Sequence, residues 1–227
     1  EALGSTDVIC SDKTGTLTCN RMAVKRLFAD GRLSEPAGWQ AGVHACPVEP
    51  RLLQAALLCH DLKRSGDRGG PALLGDPMEI ALFEFARSCG LTEAGARRVG
   101  EIPFDSDRRR MAVVYENAGR HTLYGKGALE SLLQACDTIA VDGATAPLDA
   151  LHRARLLRAE DEMAESGLRV LAFAFRDLAP GEEAEENGLT LCGLAGLQDP
   201  PRAEVPEAIG RCRSAGIKVI MVTGDHP

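Results

Sequence analysis

Short apolar runs separated by polar turns mark out this chain, and their spacing predicts a succession of strands and helices. Asp7-Val8-Ile9-Cys10 reads as a short buried strand, partly β-branched, that gives way to the polar turn Lys13-Thr14-Gly15-Thr16. Residues 22–32 predict one or two strands about the Ala29-Asp30-Gly31 turn, and 34–50, with its prolines and the tryptophan, predicts a loop. Leu52, Leu53, Ala56, Leu57 and His60 fall at helical spacing over 50–60, with His60 read as a helix-end residue rather than a metal ligand. The charged, glycine-rich stretch 61–75 predicts a mobile surface loop. Asp76 then supplies a helix cap, Pro77 suits the first turn, Glu79 stands where a capping box places its acid, and Gly90 can close the helix.

Strands are expected at 99–104, 111–115 and 121–125, the last two joined by the Asn117-Ala118-Gly119 turn, and a helix at 128–136. A charged helix at 151–166, with a solvated face, precedes strands at 168–175 and 189–197, and the glutamate-rich stretch 180–188 between them is a loop. A helix from Pro206 to Gly216 leads into a final buried strand, 217–225, which delivers Thr223-Gly224-Asp225 at its end. First and last strands thus have one form, and they read as neighbours in one parallel sheet. The residues between them read as an inserted lobe, entered near 20–24 and left near 198–202.

Composition narrows the function classes. Over 227 residues, 44% hydrophobic and 26% charged content describes a globular protein, and a net charge of −7 argues against a nucleic-acid partner. No run approaches the ~20 apolar residues of a membrane span. The opening residues lack the basic-then-apolar pattern of a signal peptide. None of the eight cysteines has zinc-type C-x₂₋₄-C spacing, so reduced thiols in a cytosolic setting are expected.

The candidate chemistry centres on Asp12, a carboxylate where a strand ends and the backbone turns. Ligands of open α/β sheets gather at such strand ends. A carboxylate there can ligate Mg²⁺, attack phosphorus, or do both. Lys13 supplies positive charge, and the hydroxyls and amides of Thr14, Gly15 and Thr16 can line a phosphoryl pocket. A plain polar turn is the alternative reading of the five residues alone.

The longer string ICSDKTGTLT (9–18) resembles the phosphorylation signature of P-type cation-transporting ATPases. That resemblance implies that Asp12 takes the γ-phosphate of ATP as an aspartyl-phosphate, with Lys13 and Thr14 beside it and Mg²⁺ held by Asp12 and Thr14. Further motifs follow in the family's order. GDPMEIAL resembles the type II nucleotide motif, whose acid, here Glu79, contacts the adenine side; Met78 replaces the usual threonine or alanine. IPFDSDRRRM implies Phe104 stacked on adenine and Arg109 reaching the nucleotide. YGKGALE resembles KGAPE, with Lys126 in the pocket and Gly127 allowing close backbone approach. GLRVLAFAF implies Arg169 at the phosphates, and DPPR (199–202) resembles the hinge motif. In MVTGD, Thr223, Gly224 and Asp225 match the second phosphorylation-domain motif. Taken singly each match has another reading: Glu79 a helix cap, Phe104 core, Lys126 solvated, Arg109 part of a basic patch, Arg169 paired with a surface acid.

The implied fold is an α+β nucleotide-binding lobe, an antiparallel sheet with flanking helices, inserted into part of an α/β HAD-like Rossmann phosphorylation domain. Its expected divisions are 1–20 and 202–227 for the phosphorylation domain and 21–201 for the lobe. The family's GDGxND segment, its actuator domain and its transmembrane helices lie outside these residues. The implied partners are therefore ATP and those remaining pump domains, and the implied setting is the cytoplasmic face of an integral membrane protein. Calcium is the first expectation for the transported ion, ahead of Mg²⁺, Na⁺/K⁺ and H⁺. Two rivals remain: a soluble phosphohydrolase of the same nucleophilic-aspartate superfamily with a cap insert, and a non-catalytic nucleotide-binding module. Against the first, Thr14 stands where such hydrolases carry their second aspartate.

Overall fold

A computed structural model describes residues 6–36, 50–65 and 72–222. Thr223, Gly224 and Asp225 lie outside the described residues, as does most of the 34–50 loop. The chain divides into two compact units, residues 1–23 with 199–227, and residues 24–198.

In the smaller unit, β1 (Val8–Asp12) pairs in parallel with β13 (Lys218–Val222), in register from Val8 opposite Lys218 to Asp12 opposite Val222. The helix before β13, α5 (Val205–Ser214), starts with Pro206 and ends with Arg211 and Arg213, which suit the negative end of the helix dipole. The parallel pairing expected from the two apolar runs is present. Their expected burial is not: Val8 is 46% exposed and Val222 54%. Two strands and one helix supply no second layer among the described residues, so apolar strands remain open to solvent.

The larger unit is built on a sheet with strand order β10-β9-β12-β11-β8-β7-β6. Its strands are β6 (Arg97–Asp105), β7 (Arg110–Asn117), β8 (Arg120–Gly127), β9 (Cys136–Val141), β10 (Ala144–Pro147), β11 (Arg169–Leu178) and β12 (Leu189–Gln198). β2 (Ala23–Ala29) also pairs with β12 and carries β3 (Arg32–Ser34). The pairs β10–β9, β12–β11, β11–β8, β8–β7, β7–β6 and β2–β3 run antiparallel, and β9–β12 runs parallel. Gly193 permits the approach of β2: it sits at φ +142°, and a Cβ there would lie 2.1 Å from the Phe28 carbonyl oxygen.

Helices cover both faces. Successive strand residues point to opposite sides, and on β8 Tyr124 reaches Gln54 of α1 (Pro50–Leu58) while Gly125 faces Leu132 of α3 (Leu129–Ala135). α2 (Pro77–Ser88) packs on α1, and α4 (Ala150–Glu165) packs on β11 and β12. Leu132, Leu156 and Met163 are fully buried between α3, α4 and the sheet, each stabilising the fold by about 1.5–3 kcal/mol. The mixed architecture with a mostly antiparallel sheet and flanking helices is the one expected. Among the described residues no helix is long and apolar enough to cross a membrane.

Three local expectations need correction. The stretch 61–75 is not loop throughout: β4 (Lys63–Ser65) and β5 (Ala72–Leu74) form a short antiparallel pair, in which the apolar residues of β5 lie opposite the polar residues of β4. Cys136 does not extend α3 but begins β9, which turns into β10. Asp76 does cap α2, accepting from the amides of Met78 and Glu79, but the Glu79 carboxylate is used elsewhere and closes no capping box.

Candidate functional site: a buried lysine–glutamate couple and an exposed carboxylate loop

Within the larger unit, the ends of β6, β7, β8 and β11 gather the residues singled out from the sequence. Lys126 on β8 lies opposite Met111 on β7, and Ala172 on β11 lies opposite Gly127. Arg169, at the start of β11, is exposed at that same end of the sheet. Phe104 sits in a β6 segment whose register with β7 shifts between Ile102 and Asp105. Its ring is 61% exposed, so it is not a core residue.

Lys126 is only 7% exposed, which rules out a solvated turn. Its Nζ donates to Glu79 Oε1 at 2.5 Å, and Glu79 Oε2 accepts the Asp61 amide at 3.1 Å. α2 thus presents an acid from its first turn to the sheet, and β8 answers with a lysine that neutralises it. The surroundings are apolar enough that burial pushes the neighbouring Cys59 thiol up to about 12, although the charge of Lys126 pulls it down. His60 is buried next to this couple and feels the charges of both Glu79 and Lys126. Its ring packs edge-on to Phe83 at 5.5 Å, and burial holds its imidazole below the ordinary value.

The turn joining β6 to β7 is tightly built. Asp105 caps it, its Oδ1 accepting the amides of Asp107 and Arg108 at 2.9 Å each, and these bonds hold its carboxyl below the usual range. Arg109 takes the left-handed conformation at φ +49°. Its carbonyl accepts the Ala128 amide at 3.0 Å, and its guanidinium pairs with Glu130 at 2.6 Å. Gly127 is the seat of this turn: a Cβ there would stand 2.5 Å from the Arg109 oxygen and 2.6 Å from the Arg110 Cβ. Arg109 and Gly127 are therefore brought together, as are Glu79 and Lys126.

The smaller unit carries the other candidates. Asp12 and Thr14 are exposed at the carboxyl end of β1, and Lys13 between them is half-buried. The loop they open is closed by Thr18, whose amide donates to the Lys13 carbonyl at 3.0 Å and whose hydroxyl accepts the Gly15 amide at 3.1 Å. The DPPR stretch braces it from outside. Asp199 accepts the Thr18 hydroxyl through Oδ2 and the Arg21 amide through Oδ1, and Arg202 Nη2 donates to the Gly15 carbonyl at 2.9 Å. Sequence reading had given DPPR a hinge role and had not assigned Thr18, Asp199 and Arg202 to the support of this loop. The signal was a polar Asp and Arg flanking two prolines, with no indication of where they reach.

An exposed carboxylate with neighbouring hydroxyls and carbonyls is a hard-oxygen donor set, which suits Mg²⁺. The model of the family described as P-type ATPase, cytoplasmic domain N, matches residues 50–204. The chain is 39% identical over 255 residues to "Cation-transporting ATPase pma1" of Synechocystis, covering all of this chain and 28% of that protein. It is 37% identical to "Calcium-transporting ATPase 1" of Bacillus cereus and 38% identical to "Sodium/potassium-transporting ATPase subunit alpha-A" of Artemia franciscana, covering 100% of this chain and 26% of each. The chain therefore spans about a quarter of the length of these curated relatives.

Proposed function

Because the chain belongs to the P-type ATPases and includes their cytoplasmic N domain, we propose that it is the ATP-binding and phosphoryl-accepting part of an ion pump. In this reading residues 24–198 hold the nucleotide, and residues 1–23 with 199–227 are part of the phosphorylation domain. The observation that carries it is that an exposed aromatic, Phe104, and a buried Lys126–Glu79 couple lie at the same end of the β6–β7–β8 ladder. Nothing in the packing of the lobe accounts for an exposed phenylalanine there; a stacked adenine does.

Phe104 stacks on the base, Lys126 and Glu79 read its polar edge, and Arg109 and Arg169 meet the phosphates. Arg109 exchanges its Glu130 partner for a phosphate oxygen. Asp12 then attacks the γ-phosphorus through a carboxylate oxygen. The bond from that phosphorus to the β–γ bridging oxygen breaks, and ADP leaves. Asp12 and Thr14 would hold Mg²⁺, which would neutralise charge at the phosphoryl group. Lys13 adds positive charge, and Thr223, Gly224 and Asp225 complete the phosphoryl pocket. Binding at the adenine end is used to position the reacting end. In the full-length pump this region faces the cytoplasm, the remaining partners are the actuator domain, the rest of the phosphorylation domain and the transmembrane helices, and calcium is the first candidate cargo.

Titration of the chain with a fluorescent ATP analogue tests this. Phe104→Ala should weaken binding by about 1–3 kcal/mol, Lys126→Ala should weaken it further, and Asp12→Ala should leave it nearly unchanged. Wild-type affinity in Phe104→Ala and Lys126→Ala together would refute the proposed nucleotide site.

A further inference from the structure

The loop between β11 and β12 holds one buried acid among its glutamates. The Glu186 side chain is 6% exposed. Its Oε2 accepts from Arg108 Nη1 and from Arg110 Nε, the latter at 3.2 Å. These are the two neighbours of Arg109. Ser131 adds to the clamp: its hydroxyl donates to the Arg108 carbonyl and accepts from Arg110 Nη1 at 3.0 Å. Arg108 Nη2 is also used, donating to the Pro103 carbonyl at 2.9 Å. The loop is itself tied down, because Arg176 Nη1 donates to the Asn187 carbonyl at 2.9 Å and to its side-chain oxygen at 2.8 Å.

We propose that Glu186 is a positioning residue for nucleotide binding: it draws Arg108 and Arg110 behind the β6–β7 turn, so that Arg109 alone is presented to the phosphate chain. The inference rests on the nucleotide-site reading above. Three consecutive arginines repel one another, and without an anchor any of them could answer an anion. A buried carboxylate shared by the outer two fixes which one does. The Arg109 backbone supports this division, since a non-glycine residue at φ +49° is held there only when its surroundings over-determine the turn. The second carboxylate oxygen, Oε1, is buried with no hydrogen-bond partner among the described residues. Burying a carboxylate in this way is costly and is not needed to close a surface loop.

Calorimetric titration of the chain with ATP and, separately, with adenosine tests the idea in wild type, Glu186→Gln, Arg109→Ala and the double variant. Glu186→Gln should lose about fivefold to tenfold in ATP affinity and nothing for adenosine, and should add little to Arg109→Ala, as coupled residues do. An equal loss for both ligands marks a merely structural residue and overturns the proposal, as does full additivity or an unchanged ATP affinity. Should Glu186→Gln fail to fold by circular dichroism, Ser131→Ala loosens the same turn more gently and carries the same expectations. If the wild type binds neither ligand, the nucleotide-site reading falls and this role with it. If wild type and Arg109→Ala behave as expected and Glu186→Gln does not, only the role of Glu186 falls.

Discussion

The Thr18 hydroxyl donates to Oδ2 of Asp199 at 2.5 Å, joining stretches of chain 181 positions apart. Through that bond the loop that begins at Asp12 is closed by a residue from the far side of the insertion. The same aspartate holds the Arg21 amide, and Arg202 holds the Gly15 carbonyl.

Removing the Thr18 hydroxyl should therefore loosen the loop without unfolding the unit. Gly15 loses the acceptor of its amide and Arg21 keeps a less well-placed one. In Thr18→Val the Gly15 amide should exchange about fivefold faster in deuterium oxide, given ~1 kcal/mol for its lost hydrogen bond, and the Arg21 amide, which keeps Asp199, by less. Unaltered protection at Gly15 would show that the loop is held by other means.

The Lys126–Glu79 couple should behave as a buried ion pair. Lys126→Met leaves the Glu79 carboxylate with one backbone donor in a dry setting, and the cost should be about 3–5 kcal/mol in urea unfolding. Replacing both, with Lys126→Met and Glu79→Leu, should recover most of that loss while abolishing nucleotide binding. A double variant as unstable as the single one would contradict the account.

His60 should confer pH dependence on stability. Its Nδ1 accepts the Leu62 amide at 3.2 Å, so the neutral ring carries its proton on Nε2, which is buried without an acceptor among the described residues. Burial depresses the folded-state pKa, against a smaller upward pull from Glu79. The unfolded chain takes up a proton near 6.5 while the folded ring resists it. Stability present above that pH is thus lost as pH falls from 6.5 towards the folded value. Urea midpoints measured at about pH 7.5 and 5.5 should fall in wild type and fall less in His60→Asn. Equal falls would assign the effect to other groups.

Much of this fold can be read from residue pattern, and the exceptions have physical causes. Asp76-Pro77 announces α2, and the Asn117-Ala118-Gly119 turn announces the β7–β8 hairpin, because caps and turns are local chemistry. The hairpin of β9 and β10 was missed although Asp142-Gly143 carries the signal for it, both residues having positive φ. The apolar runs of β1 and β13 suggested burial because hydrophobicity reports what a strand can bury, not what is present to bury it. Lys126 resembled a solvated turn residue, since Gly-Lys-Gly does not disclose that Glu79 waits across the sheet. Glu186 was hidden for the opposite reason: among four glutamates in one loop, nothing in the sequence marks the one that turns inward.

The register of Val8 with Lys218 has a bearing on how the protein is made. A parallel pair so remote in sequence closes late, because loop entropy is lost before any contact is gained. On the ribosome β1 waits while residues 24–198 complete their own hydrogen bonding. Arrest of translation short of Lys218 would leave β1 without that partner although the lobe is finished, an exposed apolar strand of the kind that chaperones exist to intercept.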